Sequence, residues 1–132
     1  MIVFDKKEDV QRFLEENYDG FSGKARDDIA LFLQNRRNFT FEKLQKLLLL
    51  INYNLIIIVA GDDYSKTEDL GQLVVEEKKR RKMTFRKLAE EVNLPKTSLE
   101  TINKRHGKAL NYNTAEKLVE FLDGFIVVEE KK

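Results

Sequence analysis

Apolar positions along the chain recur at helical spacing, interrupted twice by β-branched runs. After the short apolar lead Ile2-Val3-Phe4, suited to an edge strand, Val10, Phe13 and Leu14 line one face of a helix over residues 6–18. Asp5 or Asp9 is placed to cap it. Asp19 to Gly23 reads as a turn. Ala25, Ile29, Phe32 and Leu33 then mark a second helix over residues 24–35, closed by Arg36-Arg37-Asn38 where the helix dipole welcomes cations. Thr40 caps a third helix whose Leu44, Leu47, Leu48 and Ile51 are apolar on more than one face, as in a helix buried between layers. Asn52-Tyr53-Asn54 turns the chain into Leu55 to Val59, a strand with no alternation and hence expected to be covered on both faces. Gly61-Asp62-Asp63 ends it, and the residues through Asp69 read as a linker.

The same grammar follows in the second half. A helix over residues 70–82 ends in the basic run Lys78 to Lys82. Thr84 caps a helix over residues 85–92, Asn93 to Lys96 form a turn, and Pro95 sits where a new helix starts, a position that tolerates it. That helix, over residues 99–106 and capped by Thr97 or Ser98, is stopped by Gly107. A loop over residues 108–113 leads to a helix over residues 114–122 and the strand Phe125 to Val128.

Thr40-Phe-Glu-Lys-Leu matches Thr114-Ala-Glu-Lys-Leu, and the register extends backwards, with Ile29 against Ile102, Asp27 against Glu100, and Glu15-Glu16 against Glu90-Glu91. The chain therefore reads as two tandem units, residues 1–66 and 67–132, each a helix-turn-helix ending in a strand. A lone buried strand leaves backbone groups unpaired, so Leu55 to Ala60 and Phe125 to Glu129 are expected to lie antiparallel across a pseudo-two-fold axis. The predicted fold is mainly α, with a small central antiparallel β-sheet and two pseudo-symmetric helix-turn-helix units, an internal dimer.

Charge narrows the function. Lys and Arg number 24 against 23 Asp and Glu, a net charge of +1, and a cut after residue 66 gives about −1 and +2. So neutral a chain is no histone-like coat for DNA, since such binding scales with the phosphates neutralised, but a locally basic face is compatible with it. The chain has no cysteine and one histidine, His106, which reads as a helix-end residue. Disulfides and thiolate metal sites are excluded, and no metal or cofactor is expected. Neighbouring acids such as Glu15-Glu16, Asp27-Asp28 and Glu90-Glu91 point apart on a helix, and the glycines are scattered singly. No catalytic site or small-molecule substrate is expected. No leader is visible, and the stretch from Leu44 to Ala60 is too short and too punctuated to span a bilayer, so the expectation is a cytoplasmic protein without a membrane partner.

Met83 to Ile102, with alanine at 89, a small turn and Ser-Leu-x-x-Ile from Ser98, resembles the helix-turn-helix of phage-repressor-type regulators. The resemblance implies that Lys96, Thr97, Ser98, Thr101, Lys104 and Arg105 face the major groove of DNA. It departs from the pattern at Asn93, where such turns usually carry glycine; asparagine tolerates the left-handed backbone. The first unit has a turn longer by about two residues, and its second helix offers Lys24, Arg26, Asp27 and Asp28. The acids would repel phosphate. The whole arrangement is similar to internal-dimer DNA-binding proteins of the TraN type from conjugative plasmids of Gram-positive bacteria, a type likened to excisionases and MerR-kind regulators. That likeness implies double-stranded DNA as the partner, near a transfer origin or promoter, bound by a monomer acting as a pseudo-dimer.

Flanking groups would complete the interface. Lys108 and the loop Asn111-Tyr112-Asn113 could hold the sugar-phosphate backbone, with Tyr112 packing under the loop as the alternative. Arg36, Arg37 and Asn38 occupy the corresponding loop of the first unit. Lys78 to Lys82 could touch phosphates or form a solvated helix end. The competing expectation is a protein-binding adaptor built on the same helices, distinguished from DNA binding by its insensitivity to salt.

Overall fold

The computed structural model describes residues 2–65, 67–97, 99 and 110–131. Its elements are β1 (Ile2–Val3), α1 (Lys7–Glu16), α2 (Gly23–Leu33), α3 (Phe41–Leu49), β2 (Tyr53–Val59), β3 (Asp62–Tyr64), α4 (Glu68–Arg80), α5 (Phe85–Val92), α6 (Tyr112–Phe121) and β4 (Phe125–Glu130). The fold is mainly α, with one four-stranded antiparallel sheet in the order β1-β4-β2-β3.

Local chemistry starts the helices. The hydroxyls of Thr40 and Thr84 accept the amides of Lys43 and Lys87, each at 3.1 Å, and fix the first turns of α3 and α5. Asp9, in the first turn of α1, accepts the amides of Asp5 and Lys6 at 3.0 Å. Each helix then buries the stripe its spacing provides, such as Val10, Phe13 and Leu14 on α1 and Leu44, Leu47 and Leu48 on α3.

The two β-branched runs pair as expected: β2 and β4 run antiparallel from Tyr53 opposite Glu130 to Ile58 opposite Phe125. Coverage of β2 is less complete than its sequence suggests. Leu55, Ile57 and Val59 are buried, whereas Ile56 and Ile58 are half-buried, because an antiparallel sheet can leave one face partly to water. The expected linker also gives way to structure. Ala60 and Gly61 both take positive φ, 54° and 84°, forming the two-residue turn that suits the sheet's twist, and Asp62–Tyr64 folds back as an edge strand. Its acidic residues suggest a loop, yet an edge strand accepts charge where a central one does not.

A second junction joins the halves. Thr40 forms an antiparallel bridge with Asn111, flanked by bonds of 2.9 Å from the Phe41 amide to the Leu110 carbonyl and from the Tyr112 amide to the Phe39 carbonyl. The Phe41 and Tyr112 rings lie parallel, 1° apart in plane and 6.5 Å between centroids. Thr40 and Asn111 are 71 positions apart, as are Ile56 and its partner Val127, and the left-handed residues Asn52 and Asp123 that end the helical turns. Thr114, matched to Thr40 in the sequence, lies inside α6, which begins at Tyr112, and it is Asn111 that bridges Thr40.

One apolar core runs through both halves, joining Val10 and Leu14 of α1 to Leu44 and Leu48 of α3, Leu70 and Val74 of α4, and Leu118 of α6. Gly124 lets the turn into β4 approach β2. A Cβ there would stand 2.5 Å from the Ile58 carbonyl oxygen and 2.9 Å from a Val59 methyl. Gly124→Ala is expected to cost roughly 1–3 kcal/mol through overpacking. A lower urea midpoint at unchanged slope is the outcome that checks it.

Candidate nucleic-acid interface

Two helical segments meet after residue 92. α5 buries Leu88 and Val92, and Asn93 then takes φ 56° and ψ 50°, the left-handed conformation that a glycine would otherwise supply. The Leu94 amide returns to the Ala89 carbonyl at 3.2 Å. Helix resumes at Lys96, and the Leu99 amide reaches the Pro95 carbonyl at 3.3 Å. Leu99 is buried, while Lys96 and Thr97 at the helix start are exposed. From α6, the Lys117 ammonium donates to the Asn93 carbonyl at 3.0 Å and steadies the turn. Ser98, Thr101, Lys104, Arg105 and Lys108 lie outside the described residues.

The loop before α6 is polar in part only. Asn111 is exposed, but its side chain caps the helix by accepting the Asn113 amide at 2.9 Å. Asn113 is half-buried. Tyr112 is removed from the surface altogether: it is 2% exposed and stacked on Phe41, so it packs under the loop rather than offering a donor to a nucleic-acid backbone. As the first residue of α6 it faces the junction between the halves, where its ring area is worth more buried than wet.

In the first half two of the four cations singled out in the sequence, Arg26 and Arg37, are engaged. Arg26 bonds Asp19 at 3.4 Å and lies over the Tyr18 ring at 4.5 Å. Arg37 pairs with Asp28, whose second oxygen takes Lys43 at 3.4 Å. Asp28 is only 4% exposed, so it is a buried anchor for two surface cations rather than a charge repelling phosphate. Lys24, Arg36 and Asn38 are exposed. Lys43 was not legible as part of this cluster, because it stands one helix away from Asp28.

The basic run at the end of α4 divides in the same way. Arg80 pairs with Glu77, and Lys78 lies 4.5 Å from the centre of the Phe85 ring. Arg81 is structural. It bonds Glu77 at 2.8 Å, donates to the Phe121 carbonyl at the end of α6 at 3.1 Å, and covers the Phe121 ring. Arg80 and then Arg81 hold the Glu77 carboxyl down at about 2. The spacing of Glu77 three and four positions before the arginines was the available signal. Lys79 and Lys82 remain exposed.

A cleft of about 600 Å³ opens between the β1–α1 connection and α6–β4. It is bordered by Glu116, Glu120, Asp123 and Asp5, with Lys6 the one cation among its described lining residues. Burial first, and then the charges of Glu120, Glu8, Asp5 and Asp9, push the Glu116 carboxyl up to about 7. Nothing in the sequence marked it, since it sits on an ordinary amphipathic helix.

No helix among the described residues is long and apolar enough to cross a membrane. No family model, no curated protein and no solved structure matches this chain.

Glu116 and Glu77 bear on stability with opposite signs. A carboxyl raised in the folded state favours folding at low pH and loses that contribution as pH climbs from 4.5 through about 7. A depressed one, Glu77, contributes above 4.5 and loses it as pH falls towards 2. The melting temperature should therefore carry a component that declines between pH 4.5 and about pH 7, and Glu116→Gln should remove that component. Thermal melts of both proteins across this range measure it.

Proposed function

We propose that the chain binds double-stranded DNA through the segment from α5 into the helix beginning at Lys96, acting as a regulator or accessory factor near a promoter or conjugative transfer origin. The observation that carries the reading is the left-handed Asn93 turn between two helical segments that bury Leu88, Val92 and Leu99 while exposing Lys96 and Thr97 at the start of the second. Exposed helix starts turn dipole charge toward phosphate, and in a helix-turn-helix they bring side chains to base edges. Lys104 and Arg105, later in the same segment of sequence, are proposed as further contacts.

The 71-position spacing supports an internal dimer. Bridge residues, helix ends and paired strands all keep it, as expected if two related units face each other across a pseudo-two-fold axis. Two heads on one duplex would then sit about 34 Å apart. The reading is asymmetric, however. Arg26 and Arg37 of the first unit are already in ion pairs, so the second unit is proposed as the principal contact.

Fluorescence anisotropy against the DNA upstream of the coding sequence and a scrambled duplex, each at two salt concentrations, tests this. Binding should weaken steeply with salt. Replacing Lys104 and Arg105 together by alanine should weaken it further and lower the salt slope by about 1 to 2. Unchanged affinity would remove both residues from the interface, and salt-insensitive capture of a single protein without duplex binding would favour the adaptor reading.

A further inference from the structure

α3 and α6 occupy matching places, 71 positions apart, but differ chemically at two of them. Gln45 of α3 is a bridge: its Nε2 donates to the Leu55 carbonyl and to the Ser65 carbonyl, each at 2.9 Å, closing the helix onto β2 and the end of β3. The matching residue on α6 is Glu116. It faces the equivalent junction, since Ile2 pairs with Val128 as Tyr64 pairs with Ile57. A carboxylate cannot donate, and the buried Glu116 Oε2 has no hydrogen-bond partner. Where Gln45 seals its junction, Glu116 borders the open cleft.

The second difference reinforces the first. Phe41 is matched by Tyr112, whose side chain is almost wholly buried and whose hydroxyl has no hydrogen-bond partner. Burial first, and then the charges of Glu116 and Asp9, hold that phenol in its neutral form, its pKa raised. Both unpaired groups belong to one side of α6, whereas the matching α3 positions carry a bonded amide, Gln45, and an apolar ring, Phe41; on α3 the buried atom without a partner is instead Glu42 Oε2. Around Glu116 the rim is acidic, with Asp5, Glu120 and Asp123, the last in an ion pair with Arg81 at 3.6 Å, and the lip is apolar, with Phe125 56% and Val3 45% exposed.

We infer that this cleft docks a lysine or arginine side chain of a partner protein, presented on a segment whose apolar neighbours cover Phe125 and Val3. The cation supplies to Glu116 the donor that Gln45 supplies from within the other half. The carboxylate rim selects positive charge and repels nucleic acid. The exposed aromatic lip favours a peptide over a free hydrated cation, because covering it removes apolar surface from water. This inference stands apart from the DNA reading.

The test is a titration of the full-length, ¹⁵N-labelled protein with capped Gly-Leu-Lys-Leu-Gly and its arginine counterpart, against the same peptide with norleucine in place of lysine, and against spermidine. Saturable shifts at the amides of Val3, Glu120, Gly124 and Phe125 are expected with the two cationic peptides only. Glu116→Gln, free to donate across the cleft as Gln45 does, should keep the fold, as its thermal melt will report, and lose at least about tenfold in peptide affinity. Equal shifts from norleucine peptide or spermidine, no saturable shift with either cationic peptide, or unchanged affinity in the folded variant would each overturn it.

Discussion

The pairing of β2 with β4 is the constraint on which the rest of the structure depends. Each strand is too apolar to be left at a margin, and neither has a partner of adequate length within its own half. Their union satisfies both backbones, and it aligns α3 with α6 through the Thr40–Asn111 bridge and the stacked Phe41 and Tyr112 rings. Once those two helices are set, the remaining helices have one apolar surface on which to pack, and a single core results. The margins are left to β1 and β3, of two and three residues, which are too short to recruit other chains.

Charge is distributed on that frame with more order than a net value of +1 suggests. Several cations that look available in the sequence are committed internally: Arg81 to the end of α6, Arg37 and Lys43 to buried Asp28, and Arg26 to Asp19. Acids, in contrast, gather around Glu116, whose buried Oε2 has no partner, although Asp123 shares Arg81 at 3.6 Å. A molecule so arranged carries chemically different surfaces that its overall charge conceals.

Much of the fold was legible because it rests on local signals. Thr40 and Thr84 announce their helices, Ile29 and Phe32 keep helical spacing, and the β-branched runs require each other. The misread parts depend on geometry that no local pattern carries. Asp62–Tyr64 is a strand because the turn at Ala60 and Gly61 directs it back onto β2, and its acids suggest a loop until that turn is known. The sequence matched identical letters at Thr114, whereas the residue that bridges Thr40 is Asn111, which caps its helix with an amide oxygen instead of a hydroxyl. At the candidate interface, the turn at Asn93 could be read from the residue's tolerance of positive φ. The burial of Tyr112 could not, since a tyrosine in a polar loop is equally suited to either side.

The strand order places β4 between β1 and β2, so the sheet cannot be completed in the order in which the chain is made. The β2–β3 hairpin can close at once, yet β2 must wait for its other neighbour until β4 has been synthesised. At a translation rate of about 5–20 residues per second, that delay lasts roughly 3 to 13 s. During it, Leu55 and Ile57 lie on an open strand of the nascent chain. Contacts of such long sequence separation also slow folding once synthesis is complete. The same interleaving that joins the two halves therefore makes the interval before β4 arrives the period in which this chain is most exposed to misassembly.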